Sequence, residues 1–590
     1  MSRHFELAVK HSSTSFLNSF LKEWKNHAII ETPTTLRSKT ESKTCVQVEV
    51  QDGVWILPLQ FQSTLGRHRY ARPFFFVNRS GVVTDGAFKE LSLALAKLCS
   101  ENPSSFLSRL ENSIENMALI LENHANVGQA SSSFLETEQA LALGHNLHPT
   151  PKSREGFTRD EFCRFSPETH GQFSLVWMLV EPSCLTFETA STFQDNQALS
   201  RMFEQSFSEV SPSARERLAA GYLPFPMHPW QKQRLENHVE VKKLMDRGFI
   251  FEVGSSSDSW HPTSSVRTLY SPDAPYMLKF SLSLKLTNSV RHLIEREAVR
   301  GLQVVDVLAT EKGQEFLQQC QSFSVMREPA FVALKDSEGI LAESIVVLRE
   351  NPFRKNHREE VALLATLAQD SVFGGETQLQ VCVQKVATRF NLTIEDASVL
   401  WLKKYFEHAM RPLIRAQSHY GLLFGAHQQN LLLKLEGGLP IGAYFRDCQG
   451  TGYTSQGQKL FGHLVPSLSE ANGNILKGRE GNDVFGYYLL LNSTFNLISA
   501  LSDGDSRIEK QLIETLRANL TELLKENPPD PSWLLYVLKD RELMHKGNFA
   551  CSVRELNENT VANPFSIYTP IHNVLADVRV EDSVNEVPVC

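Results

Sequence analysis

The sequence predicts an α+β fold with antiparallel sheets. Short apolar runs come in pairs joined by Asp-Gly or Gly-Gly turns, as at residues 46–61 and 431–445, and this pattern is typical of β-hairpins. Segments with helical periodicity separate the hairpins without the regular strand–helix–strand alternation of a doubly wound sheet. No repeat with a period of about 20 to 50 residues is visible, which argues against solenoids and propellers.

The first half of the chain begins with a helical pattern. A hairpin that turns at Asp52-Gly53 follows, and then helical segments over residues 86–125. Residues 144–157, GHNLHPTPKSREGF, form a turn-rich joint, and the run QFSLVWMLVEP after it predicts a buried strand. With 590 residues, the chain has room for three or four domains.

Residues 276–286, YMLKFSLSLKL, alternate between apolar and polar side chains and predict one strand with a buried apolar face. Lys279 lies on the polar face of this strand. Thr287 or Asn288 is expected to cap a following helix that carries Arg291 in its first turn.

The last third of the chain contains a long helical pattern. It begins near Thr393, with Asp396 in the capping-box position, and we expect it to bend at Pro412 and to stop at Gly421. This helix leads directly into the hairpin of residues 431–445.

Polar residues flank that hairpin in the stretch GAHQQNLLLKLEGGLPIGAYFRDCQG. Asn430 precedes the first strand and Asp447 follows the second, so these side chains are expected to lie close together. Their oxygens suit magnesium carried by a nucleotide, because that ion keeps several waters and takes only one or two protein ligands. His427 would then contact phosphate or substrate. The pattern also fits a purely structural role, in which His427 and Asn430 cap the turn and Asp447 hydrogen-bonds the hairpin.

Basic side chains in two further segments indicate an anionic ligand. In HPTSSVRTLY, the hydroxyls of Ser264 and Ser265 precede Arg267, whose planar guanidinium suits phosphate oxygens. Lys279 and Arg291 add cations, and a helix start at Arg291 would favour an anion through its backbone N–H groups. Taken singly, these residues also fit a solvated serine-rich loop and an exposed sheet face.

The joint of residues 144–157 carries four potentially cationic groups: His145, His148, Lys152 and Arg154. The H-x-x-H pair could begin a zinc site, but no third ligand lies at a suitable spacing and no Glu stands between the histidines. A turn with this charge suits a polycarboxylate better.

Composition excludes several classes of function. Apolar residues make up 42% and charged residues 21%, and the net charge of -8 argues against nucleic acid and an anionic membrane as partners. The N-terminus lacks a secretory apolar core, and Asn492, Ser493 and Asn496 interrupt the most apolar run, so a cytoplasmic location is predicted. The nine cysteines form no CxxC pair, which predicts mostly buried thiols without disulfides or a thiolate metal site.

Together these stretches resemble the IucA/IucC family, the siderophore synthetases that work independently of non-ribosomal peptide synthetases (NIS synthetases). The matching segments follow the family order over roughly residues 140–555. They are GHNLHPTPKSREGF, PMHPWQ (226–231), HPTSSVRT (261–268), the set Lys279, Thr287 and Arg291, AHQQN (426–430) with RDCQG (446–450), and KGNF with Arg554.

The resemblance implies a cupped-hand architecture with a thumb-like domain (1–157), a fingers domain (158–340) and a palm domain (341–590) with a largely helical C-terminal region. It also implies an acid–amine ligase of iron acquisition that uses ATP and magnesium. Such an enzyme adenylates a carboxylate, most often citrate, and an amine or hydroxyl then attacks the acyl-adenylate. A homodimer is a further implication.

The resemblance assigns a role to each matching residue. Arg291 and His427 would act in catalysis by contacting both nucleotide and carboxylate. Asn430 and Asp447 would bind nucleotide or magnesium. The remaining nucleotide-binding residues would be Ser264, Ser265, Arg267, Lys279 and Lys546, and the carboxylate-binding residues would be His148, Lys152, Arg154 and Thr287.

One position departs from the family pattern. The residue two before the motif His is usually Glu in this family, and here it is Gly425, so nucleotide or magnesium binding could be weakened. A non-catalytic citrate- or precursor-binding homologue therefore stays an alternative, as does a kinase-like phosphotransferase, since H-x-x-N followed by Asp also serves magnesium in kinases. No cysteine set indicates an iron–sulfur cluster. The nucleophile, and citrate as against citryl monoamide or another dicarboxylate, remain open from sequence.

Overall fold

The computed structural model describes residues 2–123, 133–287, 289–557 and 560–577. Helices and sheets alternate along the chain, which confirms the predicted α+β fold. Among the paired strands of these residues, Phe323–Val325 and Leu439–Phe445 run parallel, and every other pair is antiparallel.

The N-terminal sheet is a meander with six strands. The predicted hairpin at Asp52-Gly53 is confirmed, because Val50 pairs with Gly53. In spatial order the strands are His27–Glu31, Thr44–Val50, Gly53–Phe61, Phe74–Asn78 and Val83–Gly86, with Arg69–Tyr70 paired to the third.

Three sheets form the middle of the chain. The central sheet has six strands: His261–Pro262, Thr268–Tyr270, Tyr276–Phe280, Val346–Glu350, Ala330–Leu334 and Leu185–Thr189. The predicted buried strand, Val176–Val180, lies in a sheet between Leu223–Met227 and Ile250–Ser255. A small third sheet consists of Ser289–Arg291, Leu282–Leu286 and Arg154–Glu155.

The predicted hairpin of the last third is confirmed as Leu431–Glu436 and Leu439–Phe445. Phe323–Val325 and Glu360–Leu363 extend it to four strands. Two small sheets complete the structure, one of Leu422–Leu423 with Gly452–Tyr453 and one of Glu542–Lys546 with Tyr568–His572.

Helices cover these sheets and fill the C-terminal third. The longer ones are Arg3–Glu23, Phe88–Lys97, Ser104–Asn123, Glu295–Ala309, Gln378–Phe390, Ile394–Tyr405, Arg411–Tyr420 and Ser506–Lys525. The shorter ones are Phe134–Gln139, Arg159–Phe165, Ala198–Ser206, Pro212–Ala219, Pro229–Leu235, Val239–Asp246, Glu311–Gln319, Leu364–Leu367, Ser455–Phe461, Arg479–Phe485, Phe495–Ser502, Ser532–Lys539 and Asn548–Arg554.

The long helix that leads to the hairpin has its predicted ends. Thr393 caps it by accepting the Asp396 N–H at 3.0 Å, and Gly421 ends it in the left-handed conformation with φ of 67°. Immediately before Pro412 the helix widens into a π-helical turn over Phe406–Met410. This helix anchors the start of the stretch that carries His427.

Two expectations for residues 276–291 were wrong. The predicted single strand is two strands that break at Ser281 and join different sheets. The predicted helix at Arg291 is instead the strand Ser289–Arg291, because the chain reverses after Leu286 and pairs Leu286 with Ser289. Thr287 has a φ of 54° in this reversal, and the helix begins only at Glu295. Asn288, the alternative cap, lies outside the described residues.

Three large hydrophobic clusters follow the chain in order, one within residues 8–143, one within 165–348 and one mainly within 304–575. The first cluster also contains Phe549 from near the C-terminus, whose ring contacts those of Phe16 and Phe20 at 5.0 and 5.1 Å. This packing holds the segment after Lys546 in place. The division into three domains stays a prediction.

The helical run Arg479–Ser502 is long and apolar enough to cross a membrane, but 89% of its most apolar window is buried inside the protein. Such burial is typical of a core helix. Of the described cysteines, six are buried and two are half-buried, as expected for mostly buried thiols.

Candidate functional site

A cavity of about 410 Å³ lies where the central sheet, the joint of residues 144–157 and the hairpin 431–445 meet. Every candidate site residue lines it, although these residues come from segments hundreds of positions apart. They are His148, Lys152, Arg154, Ser264, Ser265, Arg267, Lys279, Thr287, Arg291, His427, Asn430, Asp447 and Lys546.

Asn430 and Asp447 meet at the open end of the hairpin, as their spacing predicts. The Arg446 N–H donates to the Asn430 carbonyl at 3.0 Å, and the Asn430 Nδ2 donates to the Gly425 carbonyl at 3.0 Å. Because the amide nitrogen is engaged in this bond, the Asn430 Oδ1 is the side-chain atom that can coordinate a cation. Asp447 has a φ of 77°, and Lys279, Arg349 and Arg267 hold the pKa of its carboxyl well below the usual range despite its burial.

His427 lies beside this pair and is uncharged at neutral pH. Burial lowers the pKa of its imidazole to about 4, and Arg446, Lys546 and Arg291 act in the same direction while Asp447 opposes them. A neutral imidazole among cations can donate a hydrogen bond to an anionic ligand without adding to the positive charge of the cavity wall.

The serine loop, residues 263–267, contributes backbone and hydroxyl groups to the wall. Val266 has a φ of 67°, a left-handed conformation that few β-branched residues adopt. The Ser264 N–H donates to Glu138 Oε2 at 2.7 Å, and Arg446 forms an ion pair with Glu138 Oε1 at 2.7 Å. Glu138 therefore joins the serine loop to the hairpin end.

Arg291 reaches the cavity from the edge of the small third sheet. Its Nη2 donates to the Thr287 Oγ1 at 3.2 Å and to the Leu286 carbonyl at 3.3 Å. Arg267 Nη1 donates to the Arg291 backbone carbonyl at 3.5 Å, and both arginines line the cavity. This convergence suits an anion with several oxygens.

The joint presents His148 in a fixed tautomer. Its Nδ1 accepts the Thr150 N–H at 3.1 Å, so the neutral ring carries its proton on Nε2 and can donate it to a carboxylate.

Lys152 and Arg154 line the cavity, but an internal acid already holds both. Lys152 Nζ and Arg154 Nη2 each lie 2.6 Å from Glu168 Oε1, and at most 5% of any of these three side chains is exposed. Burial alone would raise the pKa of Glu168, but Arg154 and Lys152 bring it down to about 2. One of the two positive charges of Lys152 and Arg154 is therefore neutralised within the protein.

The residues fit magnesium only as an ion that a nucleotide carries. Asn430 and Asp447 supply oxygen donors of the type that magnesium prefers. In the described part of the chain, no group of three or more His, Cys, Asp or Glu side chains could hold a metal ion. A metal here would therefore take its other ligands from phosphate and water.

Sequence reasoning missed several residues of the cavity wall. Two of them could have been found from the sequence. Arg349 is a cation within the largely apolar strand Val346–Glu350, and Arg446 directly precedes Asp447. No comparable signal marks Tyr487 and Tyr488, which also line the wall. Asn492 interrupts an apolar run and Asn548 lies in the KGNF segment, but neither was predicted as a site residue.

The backbone is crowded at Gly425, where the family pattern has Glu. A Cβ atom at this position would lie 3.1 Å from the Gly450 carbonyl oxygen, closer than an ordinary contact. A side chain at 425 would therefore require the turn at Gly450 to shift.

Comparison with known proteins gives two family matches. Residues 133–369 match the IucA / IucC family, and residues 399–561 match the family described as ferric iron reductase FhuF-like transporter. The expectation that the chain carries no iron–sulfur cluster stays a prediction.

The chain is also similar to named synthases over most of its length. It is 36% identical to N(2)-citryl-N(6)-acetyl-N(6)-hydroxylysine synthase of Vibrio mimicus, with 89% of each chain covered. It is 30% identical to the synthase of the same name from Escherichia coli, over 95% of this chain and 96% of the relative. The structure resembles ATP-bound aerobactin synthetase IucA from Klebsiella pneumoniae with a TM-score of 0.85 and 29% identity, over 96% of this chain and 99% of that one.

Proposed function

Because the chain belongs to the IucA/IucC family of siderophore synthetases and is an acid–amine ligase, we propose that it adenylates citrate with ATP and condenses it with an amine. The observation that carries this proposal is the shared cavity, which gathers side chains suited to phosphate, to a carboxylate and to magnesium within about 410 Å³. Two mutually repelling polyanions can react only where such groups are already in place.

The triphosphate is assigned to the serine loop and the central sheet. Ser264 and Ser265 offer hydroxyls. Arg267, directly before the strand Thr268–Tyr270, and Lys279, in the paired strand Tyr276–Phe280, supply positive charge. Lys546 approaches from the C-terminal strand Glu542–Lys546.

Asn430 and Asp447 would hold magnesium together with phosphate oxygens and water. Bound there, the ion would neutralise phosphate charge and orient the α-phosphate. Asp447 suits this role because it stays ionised at neutral pH.

The carboxylate is assigned to His148, Thr287 and Arg291. His148 would donate to it from Nε2. Arg291 would lie between the carboxylate and the α-phosphate and would stabilise the charge of the transition state together with His427. Lys152 and Arg154 shape this end of the cavity through Glu168, and the experiments below distinguish that role from direct binding.

The reaction then has two steps. A citrate carboxylate oxygen attacks the α-phosphorus of ATP, the bond to the bridging oxygen breaks, and pyrophosphate leaves. The amine nitrogen attacks the acyl carbon, loses a proton, and AMP leaves with the oxygen to which it was joined.

The nucleophile proposed is the N2 amine of N6-acetyl-N6-hydroxylysine. This choice follows the activity named for the relatives at 36% and 30% identity, which cover most of the chain. The enzyme would work in the cytoplasm, where ATP is available, and as a homodimer, which light scattering of the purified chain would test.

The test is a product analysis with purified protein, ATP, magnesium and citrate. N6-acetyl-N6-hydroxylysine should give AMP, pyrophosphate and the citryl amide, and spermidine should give far less. Formation of ADP would indicate a phosphotransferase and overturn the proposal. Citrate binding without AMP formation, with any amine, would indicate a non-catalytic binding protein.

A further inference from the structure

Three buried charged side chains and the half-buried Asp447 form a cluster at the end of the cavity to which the nucleotide is assigned. Arg349 donates to Glu328 Oε1 from Nε at 3.0 Å and from Nη2 at 2.6 Å, and its Nη2 lies 3.2 Å from Asp447 Oδ1. Lys279 donates to Asp447 and to Gln449 Oε1, the latter at 2.7 Å, and lies 3.5 Å from Glu328 Oε1. The cluster, named the charge cluster below, contains two cations and two acids: Lys279, Arg349, Glu328 and Asp447.

The two cations of the charge cluster lie on neighbouring strands of the central sheet. Met277 pairs with Arg349 in neighbouring strands, so Lys279 and Arg349 project from the same face of the sheet. Glu328 is 1% exposed and packs against Gly301 of the helix Glu295–Ala309, where a Cβ atom would lie 3.2 Å from Glu328 Oε2. A glycine inside a helix costs about 1 kcal/mol relative to Ala, and here it makes room for the acid.

Asp447 is the member that faces the cavity, with 24% of its side chain exposed against 1–3% for the other three members. Both cations contact its Oδ1. A phosphate group that replaced Asp447 as the partner of Lys279 would release the Asp447 carboxylate for magnesium.

We propose that Glu328 and Arg349 are positioning residues for the nucleotide site, an inference that rests on the proposed function. Glu328 is a second, buried acid that takes two of the three hydrogen bonds of Arg349 within the cluster, so that Arg349 reaches Asp447 with a single longer contact of 3.2 Å. Arg349 bridges both acids and holds Asp447 in place when Lys279 turns to the phosphate. Glu328 therefore keeps an Asp447 oxygen accessible to magnesium without itself touching metal or nucleotide.

The test measures ATP binding by calorimetry, with magnesium and with EDTA, in the wild type and in Glu328→Gln. Loss of the acid leaves an extra positive charge next to Asp447. Binding of metal-free ATP should therefore be unchanged or tighter. The factor by which magnesium raises the affinity for ATP, named the magnesium gain below, should fall by about 10-fold or more, as is usual when a group that supports a metal ligand is removed. Glu188→Gln, the same change at an exposed position of the same sheet, should behave like the wild type.

A purely structural role predicts a different result, in which ATP binding weakens equally with and without magnesium, and that result would overturn the inference. If Glu328→Gln does not fold, Gly301→Ala displaces the acid without removing its charge and should reduce the magnesium gain in the same way. Arg349→Lys, which keeps a cation next to both acids, should retain more of the magnesium gain than Arg349→Met. Failure of the wild type to bind ATP in either condition would instead refute the proposed function.

Discussion

Replacing Glu168 by Gln distinguishes a structural role of Lys152 and Arg154 from a substrate-binding role. The change leaves two cations buried without their shared acid. The pKa of Glu168 falls from 4.5 to about 2 in the fold, and this difference corresponds to about 3 kcal/mol. Removal of one partner from a buried ion pair typically costs about 3–5 kcal/mol, which agrees with this magnitude.

Thermal unfolding is the appropriate assay. At about 2–4 °C per kcal/mol for a cooperative unit of 150–250 residues, Glu168→Gln should lower Tm by roughly 6–12 °C. Because the folded pKa of Glu168 lies below its unfolded value, its stabilisation is present above about pH 4.5 and is lost toward pH 2, so the difference from wild type should shrink in acid. Glu122→Gln, which removes an exposed partner of Arg159, is the control and should leave Tm nearly unchanged. A wild-type Tm combined with weaker citrate binding would refute the structural role.

Three further outcomes are expected. Arg291→Ala should slow AMP and pyrophosphate formation by about 10²–10³-fold, as for loss of one transition-state donor, with Tm within about 2 °C of wild type. Arg507→Ala, at an 80% exposed side chain, is the control and should change neither the rate nor Tm. Normal turnover by Arg291→Ala would show that Arg291 is not part of the active site. Trp230→Ala should destabilise by about 3–5 kcal/mol in denaturant titration, because this side chain is 1% exposed, and an unchanged midpoint would contradict its packing role. Burial lowers the pKa of His228 to about 3, so unfolding takes up a proton between about pH 6.5 and 3, and stability should decrease by up to about 1.4 kcal/mol per pH unit as the pH falls through that range. His228→Gln should reduce this slope, and an identical slope would contradict a buried, neutral His228.

Local patterns predicted the hairpin 431–445 and the helix cap at Thr393, because turn and cap chemistry depends on residues close in sequence. Arg291 was misplaced for the opposite reason: a good capping sequence follows Leu286, but strand pairing between Leu286 and Ser289 overrides it. The partners Glu168 for Arg154 and Glu328 for Arg349 lie 14 and 21 residues away, at no regular spacing. Such buried pairs are determined by tertiary packing, so the sequence showed the cations of the site but not the acids that neutralise them.

These acids change how the cavity binds anions. A count of cations from the sequence suggests bare positive charge, yet buried cations are stable only when they are paired. Glu168 holds Lys152 and Arg154, Glu138 holds Arg446, and Glu328 and Asp447 share Lys279. Ligand binding is then an exchange of ionic partners within the cavity more than an attraction of polyanions to unpaired charge. Lys279 is best suited to such an exchange, because the acid it leaves, Asp447, is also the acid that magnesium requires.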